Sequence, residues 1–326
     1  LLAKLSYDAS RDYLLHLGDF IAKGPNSQQL LSQFSDTNVT GVRGNHEQKV
    51  IEWRGWIEWV KHHSGGQDWL EELERKYSKG LDPEKNKHMK WRIPKKWMFM
   101  EEHYKIARDM SETQYSYLKS LPLVIHLPSL HAHAVHAGIL PFNPKYAPDA
   151  PKQPLARPPK PTPTSSNNTT RYAQERTLLT QIAQNTDPWV LLNMRSVLDN
   201  GEVTRDSTPD TPWTELWTMA MKQCRGFSDA TNGRIVRVPQ AELAAEAFRL
   251  SCLPISVVYG HAASRGLDIK RWSFGLDTAC VKGKRLTAML VSNLTLPLLV
   301  EDAETREIPF GEHGKAQLVS VSCSKP

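Results

Sequence analysis

Four short apolar runs in this chain each close on a polar cluster containing glycine, and that arrangement restricts the possible folds more than any other feature. Tyr13 to Leu17 stops at Gly18-Asp19, and Asn38 to Val42 leads through Arg43 into Gly44-Asn45-His46-Glu47. His133 to His136 passes into Ala137-Gly138, and Ile255 to Tyr259 passes into Gly260-His261. Apolar runs this short, bounded by turn residues, predict buried strands of a parallel or mixed sheet. Between the first two lies Ser27 to Phe34, helical in spacing with Asn26 or Ser27 as N-cap, so the start of the chain reads as a βαβ unit. In open α/β sheets, ligands gather at the carboxyl-terminal ends of such strands.

The intervening segments have their own patterns. Residues 50 to 120 read as a helical insertion in which Trp53, Trp56, Ile57 and Val60 share one face. That stripe predicts a core seam rather than a stacking platform for bases. Gly65-Gly66 interrupts the pattern, Trp69 to Tyr77 resumes it, and Ser111 to Gln114 has the form of a capping box. Leu123 to Leu127, Arg271 to Leu276 and Leu286 to Val291 read as strands, and Gln240 to Leu250 as a helix. Residues 141 to 172 lose all periodicity and are dense in proline, which predicts a disordered, partly polyproline insertion. The expected organisation is one domain over residues 1 to 300, followed by a tail at 301 to 326.

Composition matters for what it excludes. With 326 residues, 40% of them hydrophobic, the chain can bury a substantial core and is neither fibrous nor disordered. The most apolar stretch, Leu286 to Val300, is broken by Ser292, Asn293, Thr295 and Pro297, so it predicts buried strands and no membrane span. The opening Leu1-Leu2-Ala3-Lys4-Leu5 resembles the interior of an amphipathic helix, which leads us to expect a piece of a longer protein and admits an upstream anchor. Cys224, Cys252, Cys280 and Cys323 form no CxxC pair and predict isolated, mostly buried thiols. Asn38, Asn167, Asn168 and Asn293 each begin an N-x-T sequon, which permits glycosylation in a secretory lumen. The net charge of +6, part of it in Lys85, Lys87, Lys90, Arg92, Lys95 and Lys96, favours a polyanionic partner, although no nucleic-acid-binding module is recognised.

The chemistry resides in the strand-end clusters. Asp, Asn and two His at strand termini make an oxygen-and-imidazole set suited to a divalent ion, and the adjoining glycines let the backbone approach it closely. Gly18-Asp19-Phe20-Ile21-Ala22-Lys23-Gly24-Pro25, Val42-Arg43-Gly44-Asn45-His46-Glu47, His136-Ala137-Gly138 and Tyr259-Gly260-His261 resemble, in order and spacing, the motifs of calcineurin-like metallophosphoesterases. Thr186-Asp187-Pro188-Trp189 through Asn193-Met194-Arg195, and Gly275-Leu276-Asp277-Thr278 through Leu286-Thr287-Ala288, resemble the ApaH-like phosphatase branch, which includes the fungal zinc-dependent vacuolar endopolyphosphatase.

The resemblance implies an α/β protein, a four-layer α/β/β/α sandwich with two mixed sheets whose first strand is missing from this sequence. It further implies two divalent metal ions, Zn, Mn or Fe, with Asp19 bridging them and Asn45, His136 and His261 completing the second ion's shell. His46 would act as general acid, with Glu47 orienting it or supporting the turn. Arg43 would hold phosphoryl oxygens, with Arg195 and Lys23 as further substrate contacts. The expected reaction is attack of a bimetal-bound water on polyphosphate or a dinucleoside polyphosphate. A Ser/Thr protein phosphatase is the alternative enzyme, and Lys23 stands where that branch carries Arg.

Three departures accompany the resemblance. The family's first Asp-x-His motif lies outside the sequence, which raises a non-catalytic pseudophosphatase as a third possibility. Ala262-Ala263 follows His261 where many relatives have an acid, and Ala279 occupies a position usually held by Gly. A vacuolar lumen and the cytoplasm are both compatible compartments.

Overall fold

The computed structural model describes residues 1–79, 91–157, 167–207, 210–227, 249–292 and 303–324. It divides into two compact units, Leu14–Pro122 and Leu1–Tyr13 with Leu123–Lys325.

In the first unit, β1 (Leu15–His16), α1 (Ser27–Asp36) and β2 (Thr40–Gly41) form the expected βαβ, with the two strands parallel and Leu15 opposite Thr40. Among the described residues four α-helices follow: α2 (Asn45–His62), α3 (Gly66–Tyr77), α4 (Glu102–Asp109) and α5 (Glu112–Ser120). The tryptophan stripe of α2 is core. Val50, Trp53, Trp56, Ile57 and Val60 are buried together with Leu70 and Leu73 of α3 and Tyr104 and Ile106 of α4. Each such side chain contributes roughly 1.5–3 kcal/mol on burial. Gly65, at φ 73°, turns the chain between α2 and α3 where a side chain would be strained. At the start of α5, Ser111 Oγ accepts the Gln114 N–H and Gln114 Oε1 accepts the Ser111 N–H, so the sequence's capping box is formed. Arg54 donates to the Met110 carbonyl at 2.7 Å and ties α2 to the end of α4.

The second unit is built on a mixed five-stranded sheet. β3 (Val124–Leu127) pairs antiparallel with β4 (Ala132–Val135). Beyond them run α6 (Asn167–Gln181), α7 (Pro188–Asn193), the small sheet of β5 (Ser196–Val197), β6 (Val203–Thr204) and β7 (Thr211–Pro212), and α8 (Trp213–Gln223). The main sheet continues with β8 (Ser256–Tyr259), β9 (Asp268–Ile269) and β10 (Ser273–Gly275), in the order β3-β4-β8-β10-β9. Both β4–β8 and β8–β10 are parallel. Trp213 and Trp217 of α8 pack with Val135, Val257 and Tyr259 in the core of this unit, and Trp217 Nε1 donates to the Ile255 carbonyl at 3.0 Å. A third sheet holds β11 (Arg285–Leu290), β12 (Glu304–Phe310) and β13 (Gly314–Ser322), with β13 in the middle.

Several expectations are corrected. The supposed tail is the β12–β13 hairpin, whose Ile308, Phe310, Ala316 and Leu318 are buried. Leu286, on the edge strand β11, is 45% exposed, so the described part of this stretch is not fully buried, and residues 293–300 lie outside the described residues. All four cysteines are paired, Cys224 with Cys252 and Cys280 with Cys323, across 28 and 43 residues of sequence. Sequence spacing hides these pairs, since strand pairing is what brings Cys323 beside the start of β11. Of the proline-rich stretch, 141–157 is ordered by turns that sink Leu155 into the core, where Gln153 Nε2 donates to the Asn143 carbonyl at 2.9 Å. Its far end is the first turn of α6, and 158–166 lie outside the described residues. Leu1 to Ser6 form turns rather than helix. The helix expected at 240–250 falls almost wholly outside the described residues, as do Lys85, Lys87 and Lys90.

Candidate functional site

In each unit a parallel strand pair, β1–β2 in the first and β4–β8 in the second, carries two of the four expected metal ligands at its carboxyl-terminal ends. In the first unit, β1 delivers Asp19 and β2 delivers Asn45, the first residue of α2. Gly18 and Asp19 both take left-handed backbone, φ 81° and 54°, an uncommon state for an aspartate that is tolerated where the surroundings enforce it.

Glu47 does the enforcing. Fully buried, its carboxylate accepts N–H groups from Asp19 at 2.8 Å, Gly44 at 2.7 Å and Ile21 at 3.3 Å, so one side chain fastens the loop after β1 to the loop after β2. Asp19 Oδ1 in turn accepts the His46 N–H at 3.0 Å. Gly44 is required by contact: a Cβ there would overlap the backbone of Asp19 and the Glu47 carboxylate.

His46 stands in the first turn of α2, where the helix dipole favours an anion. Its Nε2 lies 3.8 Å from Asp19 Oδ2, and its Nδ1 lies 2.7 Å from Nε2 of His103 on α4. The two imidazoles stack with ring centres 5.0 Å apart and planes 8° apart. Burial, then the neighbouring His46 and Lys23, push the pKa of His103 down to about 4, so at neutral pH it is an uncharged partner. Sequence reasoning missed His103. It belongs to a helix that resembles any amphipathic insertion, and 57 residues separate it from His46.

Arg43 is braced within the protein. Its Nη1 donates to Gln48 Oε1 at 3.0 Å and its Nη2 to the Lys119 carbonyl at 2.6 Å, while burial lowers its pKa. Lys23 is exposed and left-handed at φ 66°, with its N–H bound to Glu102 Oε2 at 2.7 Å.

In the second unit, His136 follows β4 and His261 follows β8, and the parallel register sets Val135 opposite Tyr259. The Gly260 N–H donates to the His136 carbonyl at 2.9 Å. This pairing brings His136 Nε2 to 3.1 Å from His261 Nδ1, with His136 fully buried and His261 left-handed at φ 63°. Two imidazole nitrogens facing each other at that distance can share a proton or a cation, which is the donor chemistry a divalent ion requires. Gly138 leaves room for the Trp213 ring, which a Cβ would strike. Arg195, the other expected phosphate contact, lies beside β5, and its carbonyl accepts Nη2 of Arg265 from the His261 loop at 2.8 Å. Arg265, like His103, belongs to no motif. Its signal was its position four residues after His261.

Residues 1–133 match the model of the calcineurin-like phosphoesterase family. The matched segment takes in Asp19, Lys23, Arg43, Asn45, His46 and Glu47. Serine/threonine-protein phosphatase 1 of Salmonella typhimurium is 33% identical over 72 residues, which are 22% of this chain. The chain spans 33% of the length of that curated relative. A solved structure described as a candidate diadenosine tetraphosphatase aligns over 88% of this chain and 79% of its own, with 18% identity and a TM-score of 0.46. The mixed α/β architecture is consistent with the metallophosphoesterase fold.

Proposed function

We propose that this protein is a metal-dependent phosphatase that hydrolyses phosphoanhydride or phosphoester bonds, with polyphosphate or a dinucleoside polyphosphate as substrate. The observation that carries the proposal is the repeated construction of the ligand positions. Two parallel strand pairs, one in each unit, end in Asp19 and Asn45 and in His136 and His261, with left-handed backbone at Asp19 and His261.

The donor set of one carboxylate, one carboxamide and two imidazoles fits divalent Zn, Mn or Fe, and we assign Asp19, Asn45, His136 and His261 to hold two such ions. When bound, the ions supply Lewis acidity towards the phosphoryl group and acidify a water. The remaining work belongs to the protein. His46 donates a proton to the leaving oxygen from Nε2, while His103 fixes the ring through Nδ1. The amino end of α2 favours the anionic group, and Arg43 and Arg195 supply guanidinium charge, with Lys23 contributing from the exposed loop. Glu47 holds both loops of the first unit in register.

A Ser/Thr protein phosphatase is the second reading, favoured by the named relative that shares 33% identity over 72 residues. The test compares phosphate release from polyphosphate, a dinucleoside tetraphosphate and a phosphopeptide, using full-length protein loaded with Zn²⁺, Mn²⁺ or Fe²⁺. Turnover of the first two well above the phosphopeptide is the expected result. Reversal of that order would replace the substrate class, and an absence of metal-dependent turnover on all three would end the enzymatic reading.

A further inference from the structure

We propose that this chain matures in an oxidising, glycosylating lumen and carries an N-linked glycan on Asn38. Two independent observations meet here. The first is that no cysteine is free: Cys224–Cys252 and Cys280–Cys323 account for all four in the sequence. Complete pairing of cysteines is the habit of proteins that fold in secretory-type compartments, since reducing compartments keep thiols apart.

The second is the setting of the sequon Asn38-Val39-Thr40. Asn38 is exposed and follows α1 in left-handed conformation, φ 48°. Its N–H reaches the Ser35 carbonyl at 3.3 Å, and the Val39 N–H reaches the Phe34 carbonyl at 3.0 Å, which closes the helix end. This turn accounts for an asparagine at position 38. It places no demand on position 40, where a hydroxyl completes the acceptor sequence. Asn38 also stands at the amino-terminal end of β2, whereas Asn45 and His46 follow its carboxyl-terminal end. A glycan at Asn38 therefore projects from the end of the strand opposite the ligand loop. The sequon of Asn168, by contrast, ends at Thr170, which is buried in the first turn of α6.

The chemistry balances with one co-reactant, a polyprenyl-diphosphate-linked oligosaccharide. The Asn38 Nδ2 attacks the anomeric carbon, a C–N bond forms as the C–O bond to the diphosphate breaks, and the amide proton passes to a base. The lipid diphosphate leaves.

The test uses full-length protein purified from its own cells or from a eukaryotic secretory host. Non-reducing alkylation counts thiols, and enzymatic deglycosylation in heavy-oxygen water marks each glycosylated asparagine by peptide mass. We expect Cys224, Cys252, Cys280 and Cys323 to be alkylated only after reduction, with a heavy label on Asn38. Asn38→Gln and Thr40→Ala should each remove one glycan step in electrophoretic mobility. Asn38→Gln should leave phosphatase activity within about twofold of the parent. Unlabelled Asn38 in disulfide-bonded protein would overturn the glycan, and four free thiols in the native protein would overturn the compartment. Neither result depends on the substrate proposed above.

Discussion

Glu47 is the residue on which the geometry of the first ligand pair turns. An amide in its place sets an NH2 against backbone N–H groups, so Glu47→Gln leaves a buried donor unsatisfied at a cost of about 1–3 kcal/mol. We expect a lower unfolding midpoint and a 10- to 100-fold loss of metal affinity, on the order seen when groups that orient ligands are removed. Calorimetric metal titration of the variant checks both. His103 makes a different prediction. If it holds the His46 ring for proton donation, His103→Ala lowers kcat by roughly 10²-fold for substrates with a basic leaving oxygen. The effect should be far smaller for a p-nitrophenyl ester, which needs little protonation, and His103→Gln should restore part of the loss. An equal loss on both substrates would reduce His103 to packing. A third substitution concerns Ala279, which sits at φ 59° and is almost wholly buried. Ala279→Gly should raise stability by about 1 kcal/mol by relieving left-handed strain, readable in urea unfolding. At this scale the strand-end ligand candidates were legible because glycine and a preceding apolar run frame each one. Glu47's three acceptor contacts and His103's pairing were not, because both depend on groups distant in sequence.

Among elements, those with a single strong period were read correctly. The α2 stripe, the α5 capping box and the strands at 124–127 and 256–259 all lie where spacing put them. The β12–β13 hairpin was missed because Glu304 and Arg306 occupy the same alternate positions as the buried Ile308 and Phe310, so charge interrupts the period of the strand. Turns anchored by Gln153 likewise carry no periodic signal, although they bury Leu155. The disulfides mark where these elements are secured. In the loop-entropy account, spans of 28 and 43 residues restrain the unfolded chain by about 3 to 4 kcal/mol each. Reduction, or a Cys280→Ser/Cys323→Ser double variant, should lower the thermal midpoint by several degrees without changing metal stoichiometry.

For the molecule as a whole, one buried histidine sets a dependence of stability on pH. Burial holds the pKa of His133 at about 3, and neither ring nitrogen finds a partner among the described residues. The folded state keeps this ring neutral while the unfolded state protonates it near 6.5, so the unfolded chain binds more protons between those values. Stability is therefore full above pH 6.5 and falls by up to roughly 1.4 kcal/mol per unit as pH drops towards 3. His133→Leu should flatten that slope in chemical unfolding at pH 7 and pH 5, and should hold or raise stability at pH 7 by removing buried polar atoms. The third sheet bears on how the protein can be handled. A fragment ended at residue 300, where polar composition invites a cut, would lose β13, the strand to which both β11 and β12 pair. Its β11 would be left with an open edge ready to recruit neighbouring molecules, and Cys280 with a lone sulfur able to crosslink them. Expression boundaries should therefore run past Cys323.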